Sequence, residues 1–227
     1  MSVVEDGLRA VRQRIALACA DCGREPASVR LVAVSKFHPA SAIREAYQAG
    51  QREFGESYAQ ELCAKVHALQ DLTDLRFHFI GGLQRNKLKL LVPTGCVVET
   101  LASMAAARTL DLLAAQHGVA AEVLVQVNVS GESQKSGVTP QEVPALVQGI
   151  RSFAHLRLVG LMTIPKAGDA SAARSAYRAL RGLAEQYALS ELSMGMSDDL
   201  EEAIAEGATI VRVGTAIFGP RPAISVR

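Results

Sequence analysis

Leu31-Val32-Ala33-Val34-Ser35-Lys36 decides the fold: an apolar, β-branched run closed by a lysine reads as a short buried strand ending at a reactive side chain. Similar runs recur near residues 52 to 54, 76 to 80, 96 to 99, 122 to 129, 156 to 163, 191 to 194 and 209 to 213. Between them lie stretches rich in Ala, Leu, Glu and Arg, at 40 to 49, 57 to 70, 101 to 117, 140 to 153, 170 to 188 and 198 to 206, with a shorter one at 84 to 91. Those residue types favour helix. Strand and helix therefore alternate about eight times, which predicts an α/β fold of the (β/α)8 TIM-barrel type. A doubly wound open sheet is the alternative, but no Gly-x-Gly-x-x-Gly fingerprint follows the first strand. Ahead of the barrel, Val4, Leu8, Val11, Ile15 and Ala18 repeat at helical spacing and Gly23 supplies a stop, predicting an extra N-terminal helix over 3 to 22.

The bulk properties narrow the function classes. A chain of 227 residues can bury one substantial core and is slightly shorter than the roughly 250 residues typical of such barrels, so residues 1–227 read as a single domain. No apolar stretch approaches the roughly 20 residues that span a bilayer. The start, Met1-Ser2-Val3-Val4-Glu5-Asp6-Gly7, carries acids and no apolar signal core, which predicts a cytoplasmic protein. A net charge of +1 leaves no electrostatic footprint for nucleic acid. Of Cys19, Cys22, Cys63 and Cys96, three sit in helix-like or strand-like apolar patterns without a complementary ligand cluster, so reduced thiols and no metal are expected. Cys19 and Cys22 have redox-motif spacing but close an amphipathic segment, which favours packing over catalysis.

Chemistry in these barrels sits on the loops after the strands. Here those positions hold Lys36, then Gly55-Glu56-Ser57, then Gly81-Gly82 after His78, then Glu99-Thr100, Asn128 with Ser130, Thr163, Ser193-Met194-Gly195-Met196-Ser197, and finally Arg212 with Gly214-Thr215. The last two loops suit a phosphate: Gly195 permits close backbone approach, and Ser193, Ser197 and Thr215 offer hydroxyl donors. Ser197 before Asp198 is equally readable as a helix N-cap. A lysine ending a buried strand is biased toward its neutral amine by desolvation, as attack on a carbonyl requires. Lysine plus cradle suggests a phosphorylated aldehyde held as a Schiff base.

Val32-Ala33-Val34-Ser35-Lys36, Phe54-Gly55-Glu56, Phe77-His78-Phe79-Ile80-Gly81, Leu83-Gln84, Asn86-Lys87, Val127-Asn128-Val129, Lys135-Ser136-Gly137, Gly160-Leu161-Met162, Leu192 to Asp198 and Val211 to Gly219 occur in order over nearly the whole chain. Together they resemble the YggS/PROSC family of pyridoxal 5'-phosphate (PLP) homeostasis proteins. That family is similar to the barrel domain of alanine racemase. The resemblance implies PLP as cofactor, linked to Lys36, with Ser193, Ser197, Gly214 and Thr215 on its phosphate and Arg212 at the pyridine nitrogen. Candidate cofactor-binding residues are Lys36, Ser57, His78, Ser193, Met194, Gly195, Ser197, Arg212, Gly214 and Thr215, with no catalytic residue assigned. Ser57 stands where relatives carry Asn, and reads as a shorter donor or as a helix N-cap. Phe37-His38-Pro39 also departs from the family pattern, and His38 reads as a surface residue. His78 alternates within an aromatic strand, as a lumen histidine does, while its place near the mouth permits a ring contact.

The resemblance implies a non-catalytic protein of vitamin B6 and amino-acid homeostasis, monomeric, with PLP-dependent apoenzymes as possible partners. A PLP-dependent amino-acid racemase is the alternative, and a Lys36 aldolase of sugar phosphates is a weaker third. A two-base racemase takes a tyrosine from a second β-domain; this chain ends at Arg227, so no second domain is expected. Its tyrosines, Tyr47, Tyr58, Tyr177 and Tyr187, fall in helix-like segments. Lys87 and Lys135 read either as solvated loop charges or as a transient second site for PLP.

Overall fold

The computed structural model describes residues 2–132, 135–165 and 168–220. Strands Arg30–Val34 (β1), Glu53–Glu56 (β2), Arg76–Phe79 (β3), Val97–Leu101 (β4), Ala121–Gln126 (β5), Leu156–Met162 (β6), Glu191–Ser193 (β7) and Ile210–Val213 (β8) pair in chain order. All pairs are parallel, and β8 returns to β1 with Val32 opposite Arg212, closing the barrel. Helix Val3–Asp21 (α1) precedes β1. Ala40–Gln48 (α2), Ala59–Ala68 (α3), Leu88–Leu91 (α4), Met104–His117 (α5), Val143–Arg151 (α6), Ala170–Gln186 (α7), Leu200–Ala205 (α8) and Thr215–Phe218 (α9) follow the strands one by one. This is the TIM barrel expected from the alternation.

The strand period of two sorts side chains between lumen and helices. Val32, Val97, Leu124, Met162 and Ile210 form a separate buried cluster inside the barrel. Leu31, Ala33, Phe54, Phe77 and Phe79, the alternate residues, join the larger core beneath the helices. Each fully buried aliphatic or aromatic side chain in these layers contributes about 1.5–3 kcal/mol relative to exposure. In α1 the residues at helical spacing, Val4, Leu8, Val11, Ile15 and Ala18, are the buried ones, and the helix packs on α8 and α9.

The 84 to 91 segment departs from the simple expectation. It is broken into a 3-10 turn over Arg85–Lys87, the single turn α4, and a second 3-10 turn over Val92–Thr94. Pro93 restricts the backbone there, and Gly95, with φ of 67°, ends the segment in the left-handed region. By contrast α5 carries ordinary start and stop signals: Ser103 Oγ accepts from the Ala106 N–H, and Gly118 turns left-handed at the end.

Candidate cofactor site

At the C-terminal end of the strands a cavity of about 540 Å³ is lined by Val34, Lys36, His38, Ser57, Ile80, Ile164, Met196, Ser197, Asp198, Arg212, Gly214 and Thr215. Lys36 lies two residues beyond Val34, on the lumen side of the β1 alternation. Gly214 lets the chain pass close to β1, since a Cβ there would stand 3.1 Å from the Val34 carbonyl oxygen. The one-turn helix α9 starts next, and helix geometry leaves the N–H groups of Thr215 and Ala216 without intrahelical partners. Those groups carry the positive end of the local dipoles, beside the hydroxyls of Thr215 and Ser197.

Arg212 enters from β8, buried, with both terminal nitrogens committed. Nη1 donates to Ser193 Oγ at 2.6 Å and Nη2 donates to the Thr163 carbonyl at 2.9 Å. Ser193 Oγ in turn donates to Glu99 Oε2 at 2.5 Å, which lies 3.9 Å from Arg212 Nη1. Below it, Glu99 Oε1 meets His78 Nδ1 at 2.7 Å, and His78 Nε2 meets Glu53 Oε2 at 3.1 Å. Arg30 continues the column, 3.4 Å from Glu53 and 2.7 Å from Glu191. Burial pushes His78 toward neutrality, but the carboxylates of Glu53 and Glu99 outweigh it and hold the imidazole's pKa above its ordinary value. Burial would raise Glu99 as well, yet His78, Arg212 and Ser193 hold it below the usual carboxylate range. Charges of alternating sign thus run down the lumen and fix the guanidinium at the cavity floor.

Six of the ten candidates meet in this cavity: Lys36, Ser57, Ser197, Arg212, Gly214 and Thr215. The other four do not line it. Ser193 is fully buried and its proton is given to Glu99, so it orients Arg212. Met194 is enclosed in the core. Gly195 has φ of 94°, and a Cβ there would come within 2.5 Å of the Ala203 Cβ, so this glycine serves the turn and the approach of α8. His78 sits deeper in the lumen and borders a second cavity of about 410 Å³, together with Arg30, Arg76, Glu122 and Arg157. Ile80, two residues further along the same face, is the β3 side residue that reaches the mouth.

Both N-cap alternatives are corrected. Asp199, not Ser197, precedes α8, and its Oδ1 accepts from the Met196 N–H at 2.6 Å. Tyr58, not Ser57, precedes α3. His38, read as a surface residue, lines the cavity with its ring stacked on Phe218 at 5.1 Å between centroids. Val34 and Ile80 were recoverable from the strand period, and Met196 and Asp198 lie inside the quoted loop; no sequence signal pointed to Ile164. Neither Lys87 nor Lys135 lines the cavity, and Lys135 pairs with Glu132 at 2.7 Å.

Cys22 is exposed at the end of α1 while Cys19 is buried in it, and both are free thiols. No helix among the described residues is long and apolar enough to cross a membrane.

The donor set suits a phosphorylated aldehyde with an aromatic ring: an amine, an anion cradle, a cationic donor and apolar walls from Val34, Ile80, Ile164 and Met196. Residues 8–222 match the family described as alanine racemase, N-terminal domain. The chain is 44% identical over 224 residues to the pyridoxal phosphate homeostasis protein of Pseudomonas aeruginosa, covering 97% of both chains. It is 42% identical over 229 residues to the protein of that name in Escherichia coli K12, covering 97% of this chain and 98% of the other. Among solved structures, PipY of Synechococcus elongatus with PLP bound is similar with a TM-score of 0.79 and 39% identity, over 90% of this chain and all of that one. An eight-stranded barrel with a lysine and an anion cradle at its mouth, matched along its length by these relatives, belongs to the pyridoxal phosphate homeostasis protein family, built on the fold of the alanine racemase N-terminal domain.

Proposed function

We propose that this protein binds PLP covalently through Lys36 and handles the cofactor without useful turnover, buffering it or delivering it to PLP-dependent apoenzymes. The observation that carries the reading is the meeting of Lys36, the Gly214-Thr215 cradle and Arg212 in one cavity of about 540 Å³. The names of the relatives, and the PLP in the PipY structure, support it. When bound, PLP supplies an electrophilic aldehyde and an aromatic ring able to withdraw electrons.

Lys36 would bond the aldehyde carbon, and Thr215, Ser197 and the start of α9 would hold the phosphate. A guanidinium can only donate, so toward a ring nitrogen Arg212 would favour the unprotonated form and weaken electron withdrawal. Its two hydrogen bonds and the lumen column below it fix the guanidinium. Racemisation needs a second acid/base on the opposite face of the ring. Among the described residues no tyrosine lines the cavity, and the buried Tyr177 hydroxyl is given to Asp199 at 2.7 Å. His38 is a lining side chain able to carry a proton; burial, together with Lys65's charge, holds its pKa below the ordinary value.

The deciding experiment loads the protein with PLP in D2O and follows α-proton exchange over a panel of L- and D-amino acids, with Lys36→Ala as control. Exchange should stay at the rate of free PLP. Lys36-dependent exchange that His38→Ala abolishes would establish the racemase alternative instead.

A further inference from the structure

We infer that Lys65 is a positioning residue for Lys36: with Glu56 and Glu61 it clamps the backbone on both sides of Lys36 and sets the direction in which the amine enters the cavity. The inference rests on Lys36 being the residue that bonds the aldehyde.

Lys65 lies on α3 and is only 5% exposed, a rare condition for lysine. Its Nζ donates to the Ser35 carbonyl at 2.7 Å, to Glu56 Oε1 at 2.6 Å and to Glu61 Oε1 at 2.7 Å. The same Glu61 oxygen accepts from the Phe37 N–H at 2.7 Å, and Ser35 Oγ donates to Glu56 Oε1 at 2.6 Å. One ammonium therefore ties down residue 35 directly and residue 37 through one carboxylate, leaving Lys36 between two fixed points. The hold has something to resist. Phe37 has φ of 69°, in the left-handed region that residues with a Cβ rarely occupy, and such a conformation persists only when its surroundings impose it.

Stability alone is a poor account of the cluster. Burying an ion pair costs desolvation that its attraction often fails to exceed, and well-packed apolar side chains would stabilise the site as well. What a charged cluster adds is fixed direction at the peptide it grips. Its charge also reaches the cavity: burial and then Lys65 depress His38, and burial raises the Glu56 carboxyl while Lys65 works against the rise. In the step being positioned, neutral Lys36 Nζ bonds to the aldehyde carbon and the carbonyl oxygen departs as water with the two amine protons. No oxidant or reductant takes part. A poorly aimed amine slows that step without weakening the hold on the phosphate.

The test compares wild type, Lys65→Met and Glu61→Ala as full-length proteins with two probes. Pyridoxine 5'-phosphate, which has no aldehyde, reports noncovalent binding; the absorbance change with PLP from mildly acidic to alkaline pH reports covalent bond formation and its pH profile. Lys65→Met should slow bond formation by about a hundredfold and shift its pH profile, with pyridoxine 5'-phosphate affinity unchanged. Glu61→Ala, on a partly exposed side chain, should slow it by a smaller factor in the same direction, and decides the matter if Lys65→Met does not fold. Wild-type rates in both variants would overturn the inference, as would equal losses with both probes, the mark of a merely structural role. Failure of wild type itself to form the bond would instead overturn the reading of Lys36, and the inference with it.

Discussion

Thr215 and Ser193 are both hydroxyl residues in the loops after the last two strands, and their neighbours give them different work. Thr215 is exposed at the start of α9 within the cavity lining, whereas Ser193 is enclosed and held between Arg212 and Glu99. Thr215→Val should therefore remove a hydrogen bond to a charged phosphate, worth about 1.5–3 kcal/mol, and weaken pyridoxine 5'-phosphate binding by roughly tenfold to a hundredfold. Titration calorimetry measures this directly. An unchanged Kd would take Thr215 out of the cradle. Sequence reasoning found both residues because hydroxyls beside glycine at strand ends are legible, but which hydroxyl is already occupied depends on β4 and β8 converging across the lumen. The position of His78 was partly legible: the strand period alone makes Ile80, not His78, the β3 residue nearest the mouth.

At the level of elements, the site depends on α1, which contributes nothing to its lining. A Cβ added at Gly7 would come within 2.6 Å of the Ala216 carbonyl oxygen and 2.8 Å of the Ile217 Cα, both backbone atoms of α9. Gly7→Ala must push α1 and α9 apart. The expected result is a loss of about 1–3 kcal/mol in urea unfolding, typical of overpacking, together with weaker pyridoxine 5'-phosphate binding as α9 moves. Lost stability with unchanged binding would mean that α1 gives way and α9 does not. α7 supports the neighbouring loop in a similar way, through Tyr177. Removing its hydroxyl in Tyr177→Phe leaves Asp199 without that donor and should cost about 1–3 kcal/mol, read by the same unfolding measurement. The helical spacing of α1 was plain in the sequence, and its contact with α9 was not, because a one-turn helix carries no periodicity to read.

Across the whole molecule, the lumen column makes stability depend on pH. His78 is raised above its ordinary 6.5, so its contribution is complete below that value and is lost as pH rises through the raised one. Glu53 and Glu99 are lowered from 4.5, so theirs is complete above 4.5 and is lost as pH falls through the lowered values. The stability difference between wild type and His78→Gln should be largest between 4.5 and 6.5 and shrink toward alkaline pH. Urea unfolding from that plateau through the alkaline range checks it, and a difference that stays constant into alkaline pH would mean that His78 does not titrate in the column. The barrel was legible because strand and helix periods repeat along the chain. The column was not, because Arg30, Glu53, His78, Glu99, Glu191 and Arg212 are brought together only by barrel closure.

The central claim, covalent binding of PLP through one lysine at the barrel mouth, is tested most directly by borohydride reduction of the PLP-loaded protein followed by peptide mapping. A single stable pyridoxyl modification on Lys36, absent from Lys36→Ala, is the predicted result. Loaded protein that yields no modified peptide, or whose modification falls on Lys87 or Lys135 in place of Lys36, would contradict it.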